Sequence, residues 1–154
     1  MKTLPISATD DDIRSLVIEW SELMAAKRFD DAYSMLTFDN REREWTPQLL
    51  ADTIRGYGVP DIDTVTKQMM LEDWGVNECE ITTLEGREDR EAIIDSIEID
   101  REYLGPLDPD RYLGHVHYFD LPLCNDRSDL TARFHILRID NDKLALELLD
   151  IHML

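Results

Sequence analysis

The chain has 154 residues, 43% of them apolar, enough for one domain with an ordinary core and no metal or disulfide staples. Its 34 acidic residues against 16 basic ones leave a formal charge of −18, which disfavours nucleic-acid phosphates and anionic membrane surfaces as partners. No apolar run approaches the ~20 residues that span a bilayer, and the stretch from Met1 to Asp12, with one lysine and then three aspartates, is unlike a signal peptide.

In chain order, Thr9 followed by Asp12 forms a capping-box pair, and Asp10, Asp11 and Asp12 suit the positive end of a helix dipole. Ile13, Leu16, Val17, Trp20, Leu23 and Met24 then recur at helical spacing, and Lys27 and Arg28 close the last turn. A short second helix is expected over Asp30 to Leu36, with Ala32, Tyr33 and Leu36 inward. The polar stretch 37–44 reads as loop. Thr46-Pro47 starts a third helix, with Leu49, Leu50 and Ile54 inward and Gly56 or Gly58 at its end. After the Val59-Pro60-Asp61 turn, residues 62–77 carry little periodicity, and a strand or extended edge is expected around Val65 to Leu71.

From Glu78 the period changes to two. Cys79, Ile81 and Thr83 alternate with polar residues, and 86–89 is a turn. Ala92 to Asp100 fits a short helix or a strand, and its β-branched residues favour the strand. Leu104-Gly105-Pro106 and Asp108-Pro109 break the chain. Three long strands follow, Tyr112 to Leu123, Leu130 to Ile139 and Lys143 to Met153, the last two joined by a tight hairpin at Asp140-Asn141-Asp142. No repeat or linker interrupts residues 1–154. The expectation is a single α+β domain, N-terminal helices packed on a curved antiparallel β-sheet with a concave face.

The amphipathic helix through Trp20 that runs into Arg28-Phe29-Asp30-Asp31-Ala32-Tyr33 resembles the opening of NTF2-like domains, whose short second helix carries an F-x-x-A-Y type signature. The long terminal strands are similar to those of that cone-shaped fold. Asp120-Leu121-Pro122-Leu123, Ser128 to Phe134 and Asp150-Ile151-His152 further resemble a bacterial family of unknown function. The first resemblance implies a cone. The superfamily holds isomerases, dehydratases, non-catalytic binders and transport factors, so the fold does not choose among them.

All four histidines fall in the last forty residues. His115 and His117, about 7 Å apart along one strand, share a face with Phe119 and Leu121, while Val116 and Tyr118 point the other way. His135 and His152 lie on the next two strands. Converging imidazoles are ligands that zinc takes, but a His-x-His pair without further spaced ligands assigns no metal. Acid–base chemistry is the enzymatic reading, with Asp95, Asp120 and His117 as the catalytic candidates. Asp95 shares strand parity with Ile93, Ile97 and Ile99, and Asp120 with Val116 and Tyr118. Either acid on an apolar face needs a partner or a raised pKa. The alternatives are an ion pair of Asp95 with an arginine such as Arg133, or an outward position. Asp150 and His152 share parity with Leu144, Leu146 and Leu148. Tyr33, Trp74, Tyr118, His115, His135 and His152 are the candidate ligand contacts. Trp20 reads as core and Trp45 as a residue stapling the helix start it precedes.

No nucleophile elbow and no glycine-rich phosphate loop is present, and no cofactor is implied. Cys79 and Cys124 read as free thiols of a cytoplasmic protein. Three functions stay open. One is a non-catalytic binding module for a small organic ligand or a basic protein partner, in the form of a homodimer through its sheet. The second is a cofactor-independent isomerase, dehydratase or hydrolase-type enzyme with an Asp/His pair in the cone, and the third a structural, dimer-forming domain. The acidic charge suits a basic partner, and it equally suits plain solubility.

Overall fold

The computed structural model describes residues 1–38, 44–102 and 105–153. The Thr9 hydroxyl accepts the Asp12 amide at 3.2 Å, and the Asp12 carboxylate accepts the Thr9 amide at 2.8 Å, so the capping box forms as its spacing requires. Helix α1 (Asp10–Ala25) buries Ile13, Leu16, Val17, Trp20 and Met24, together with Ser21. It ends at Ala25, and the chain turns out at Lys27 with φ of 59°. Lys27 and Arg28 therefore lie beyond the last turn rather than in it. Helix α2 (Phe29–Met35) follows at once. The loop expected over 37–44 falls largely outside the described residues, although Thr37 forms a parallel bridge with Glu147. Helix α3 (Pro47–Arg55) starts where Thr46 accepts the Leu49 amide at 3.0 Å.

Residues 62–77 depart from the expected extended edge. Helix α4 (Thr64–Trp74) is capped by Asp63, which accepts the Thr66 amide at 2.7 Å, and closed by Gly75 in the left-handed conformation. Only Met70 is buried on it, so no apolar stripe marked it in sequence. The expected strand at 92–100 divides into helix α5 (Arg90–Asp95) and strand β2 (Ile97–Asp100). Ser96 ends the helix, its hydroxyl donating to the Ile93 carbonyl at 2.6 Å. The alternating segment after Glu78 makes a single bridge, Ile81 to Leu123.

With β1 (Leu4–Pro5), β3 (Tyr112–Tyr118), β6 (Leu130–Arg138) and β7 (Lys143–Met153), β2 forms an antiparallel sheet in the order β1-β7-β6-β3-β2. The sheet is strongly curled, a half-barrel that the helices pack on, which makes the domain α+β. The strand expected from Tyr112 to Leu123 stops at Tyr118. Beyond it the Asp120 amide donates to Ser96 Oγ, and the chain enters a small ribbon of β4 (Pro122–Leu123) and β5 (Asp126–Arg127) around left-handed Cys124 and Asn125. The last hairpin closes with the Ile139 amide on the Lys143 carbonyl. Leu104, in one of the expected chain breaks, lies outside the described residues. Among the described residues no helix is long and apolar enough to cross a membrane.

Sheet and helices share one core. Val116, Tyr118, Ala132, Phe134, Ile136, Leu146 and Leu148 all point to its inner face and are buried, and Trp20 meets Phe134 edge-on at 5.2 Å. The interior of the curl is thus filled by aromatic rings from both layers.

Candidate functional site

The inward set on β3, β6 and β7 leaves the alternate residues on the outer face, and there the pairing register aligns titratable side chains across four strands. One row runs Asp100, His115, His135, Glu147. The next runs Glu98, His117, Arg133, Asp150. In both, carboxylates sit on the outer strands of the four and the imidazoles and guanidinium on the central two. Opposite charges directly across strands are the favourable pairing.

Two register irregularities build this face. One lies between Tyr112 and Gly114, the other in β7 opposite Arg133 and Phe134. Each inserts one residue, so side chains three apart share a face. Tyr112 thereby joins His115, and Asp150 joins Glu147. The parity expected for Asp150 and His152, alongside Leu144, Leu146 and Leu148, is corrected: the leucines face the core and Asp150 and His152 face outward. Gly114 makes the first irregularity with φ of 150°, where a Cβ would stand 2.6 Å from the Asp100 carbonyl oxygen.

His135 and Glu147 are both buried, at 6% and 1% exposure, with Nδ1 and Oε2 3.2 Å apart. The tautomer that donates Nδ1–H to Glu147 leaves the lone pair on Nε2. The rings of Tyr112 and His115 each stand 4.9 Å from the His135 ring. In the second row Arg133 holds Asp150 through Nε at 2.8 Å and a terminal nitrogen at 2.5 Å. His152 Nδ1 approaches the same carboxylate at 3.0 Å. His117 lies parallel to Phe119 at 5.5 Å.

Burial lowers the affinity of His115 for its proton, and the neighbouring His135 and His117 lower it further. Burial likewise lowers His117, helped by the Arg133 charge. Both are therefore neutral at pH 7. Burial opposes ionisation of Asp150, but the bonds and charge of Arg133 and His152 outweigh it and hold the carboxyl below its ordinary range. The result is a pair of neutral imidazoles, His115 and His117, on the same face as the ionised Asp150 carboxylate.

The other candidates sit elsewhere. Asp95 ends α5 and is exposed, so it does not share an apolar face with Ile93 and Ile97; nor does it pair with Arg133, which is engaged by Asp150. Asp120 lies beyond the end of β3, the strand that carries Val116 and Tyr118, and is ion-paired with Arg127. Tyr118 is wholly buried, its hydroxyl near Ser21 but without a hydrogen bond of ordinary geometry, and burial raises its pKa. Tyr33 stacks on Phe38 at 4.5 Å, and Trp74 tilts against Tyr57 at 5.3 Å. The structure thus brings His115, His117, His135 and His152 to one face and leaves Asp95, Asp120, Tyr118, Tyr33 and Trp74 in other settings. Tyr112, Glu98, Asp100 and Glu147 complete the face and carried no functional expectation from the sequence, and Arg133, expected only as an ion-pair partner for Asp95, pairs there with Asp150 instead. A signal existed for Glu147, an acid inside the apolar run 144–149.

A separate cleft of about 180 Å³ opens where Met24, Phe29, Ala51, Ile54, Cys79 and Ile81 meet Lys27 and Arg55. Cys79 beside it is no nucleophile, since burial and the adjacent Cys124 push its thiol up to about 12. Among the described residues no group of three or more His, Cys, Asp or Glu side chains is arranged to hold a metal ion. No protein-family model, curated protein or solved structure matches the chain.

Proposed function

We propose that the chain is a non-catalytic binding module for a basic protein partner. The packed interior carries this reading. Trp20, Phe134 and Tyr118 occupy the inside of the curl with no exposed surface, where a small substrate of a cone-shaped enzyme would sit. Asp95 is in solvent and Asp120 in an ion pair with Arg127, so neither acid is placed inside the curl. The charge of −18 supports a cationic partner, since opposite fields speed encounter and set its salt dependence. The order of helices then curled sheet supports the NTF2-like placement of the fold, as a filled member of that shape. The test is fluorescence anisotropy with a labelled arginine–glycine peptide and an aspartate–glycine peptide of equal length. Binding of the first alone, weakening steeply from 50 to 300 mM salt, is expected. No binding of the cationic peptide at low salt overturns the reading.

A second reading is favoured by one observation, the His135–Glu147 contact, in which a carboxylate orients an imidazole as a general base requires. It makes the chain a cofactor-independent isomerase, dehydratase or hydrolase-type enzyme working on the sheet face rather than inside the cone. Turnover of small ketones, hydroxy acids or esters by the wild type, abolished in His135→Gln, would carry it over the first.

A further inference from the structure

The outer sheet face holds hydrogen-bonding groups that the described residues do not use. His115 and His117 are half-buried, and neither makes a hydrogen bond. His135, with 6% exposure, spends Nδ1 on Glu147 and leaves Nε2 unbonded. Glu98 stands directly across from His117, exposed, and makes no hydrogen bond or ion pair among the described residues. Arg133, the one described guanidinium in these two rows, is engaged at both ends of the Asp150 carboxylate. The His117 ring, stacked on Phe119 at 5.5 Å and 11°, lies beside these groups.

We propose that this face receives an arginine side chain of the basic partner, its guanidinium stacking on the His117 ring and donating to Glu98 and to the imidazole of His115. The inference rests on the basic-partner reading and names its site. A guanidinium is planar, carries five donors and stacks on ring faces, so it matches an aromatic face with acceptors beside it. A carboxylate takes its fork with charge-assisted bonds. Neutral imidazoles add acceptor nitrogens without adding charge. The surroundings agree in sign. Glu98 and Asp100 on β2 and Glu147 and Asp150 on β7 share the face with Arg133 and the histidines His135 and His152, with Tyr112 at the start of β3, so among the described residues of these rows carboxylates outnumber guanidinium groups.

The site has a pH signature that an acidic surface alone lacks. Protonation turns an imidazole acceptor into a donor and places a positive charge against the incoming guanidinium. Binding is therefore strong above the imidazole range and falls on acidification, while ordinary carboxylates stay ionised until about pH 4.

Anisotropy titration of the labelled arginine–glycine peptide at 50 mM salt tests this in the full chain. Glu98→Gln and His117→Gln are expected to weaken binding about tenfold each, the worth of a charge-assisted bond for the first and of a stacked ring for the second. Glu88→Gln, which removes the same charge from an exposed turn, is expected to change it less than about twofold. Lowering the pH from 7.5 to 5.0 is expected to weaken the wild type about tenfold and the His115→Gln/His117→Gln double variant little. A lysine–glycine peptide of equal charge is expected to bind more weakly; equal binding overturns the arginine assignment. Equal effects of the three single variants, or no pH response, overturn the site while the basic-partner reading stands. Absence of binding under every condition sinks both. Sedimentation is expected to show a monomer, and a dimer that Glu98→Gln dissociates would assign the face to a second copy and overturn the proposal.

Discussion

Trp20 and Gly114 show how differently single residues hold this structure. The Trp20 indole has no exposed surface and meets Phe134 edge-on at 84°, the geometry in which a ring edge faces a π-cloud. Trp20→Ala would leave a cavity where both layers meet and is expected to cost about 3–5 kcal/mol in urea unfolding. A loss below about 1 kcal/mol would mean that the site collapses around the gap. Gly114 contributes no packing at all. Its φ of 150° and the 2.6 Å approach of an added Cβ to the Asp100 carbonyl leave no room for a side chain. Gly114→Ala is expected to cost about 2 kcal/mol or more, and to disturb the His115 and Tyr112 ring resonances by undoing the irregularity. Unchanged spectra would remove the glycine from the account of the site. The tryptophan was legible from helical spacing, whereas the glycine acts through a neighbouring strand that local sequence does not specify.

Among the elements, α1 and α4 form for different reasons. α1 has a capping box and an apolar stripe that packs on the sheet, so cap and burial agree. α4 has Asp63 at one end and Gly75 at the other but little to bury. Val65 is 79% exposed and Leu71 48% exposed. Short helices without tertiary support are marginal. Hydrogen exchange is therefore expected to be orders of magnitude faster in α4 than in β6, and faster still in Asp63→Ala, which removes a cap worth about 1 kcal/mol. Protection of α4 equal to that of β6 would show packing that its burial does not suggest. The strands were legible where apolar alternation persists, as in β6 and β7. β3 ends early because Asp120 binds Ser96 and Arg127, contacts made across the chain. The split of 92–100 into α5 and β2 hinges on Ser96, a residue no periodicity marks.

For the molecule as a whole, the outer face ties stability to pH. His115 and His117 bind protons less readily folded than unfolded. Between their lowered folded values and the ordinary 6.5, the unfolded chain carries more protons, so stability rises with pH across that window and is lost as pH falls through it. Asp150, held below its ordinary range, contributes stability that is lost only at lower pH, as it protonates. Thermal melts are expected to show Tm climbing from pH 5 to 7.5 in the wild type and a flatter climb in the His115→Gln/His117→Gln double variant. The same slope in both would place the titrating groups elsewhere. The −18 charge also makes added salt stabilising through screened self-repulsion.

The sequence by itself determined the class of domain, the caps of α1 and α3, the terminal strands and the presence of the histidines on them. These follow from local periodicity and from capping chemistry confined to a few neighbouring residues. Which side chains meet was decided only in the tertiary structure. Side chains alternate along a strand, so one inserted residue reverses the face of everything beyond it. The irregularities near Gly114 and in β7 bring Tyr112 and Asp150 to the histidine face, and the pairing of β2, β3, β6 and β7 sets acids against imidazoles across strands far apart in the chain. Register is fixed by packing against the helices, and that long-range condition leaves no mark in any one segment.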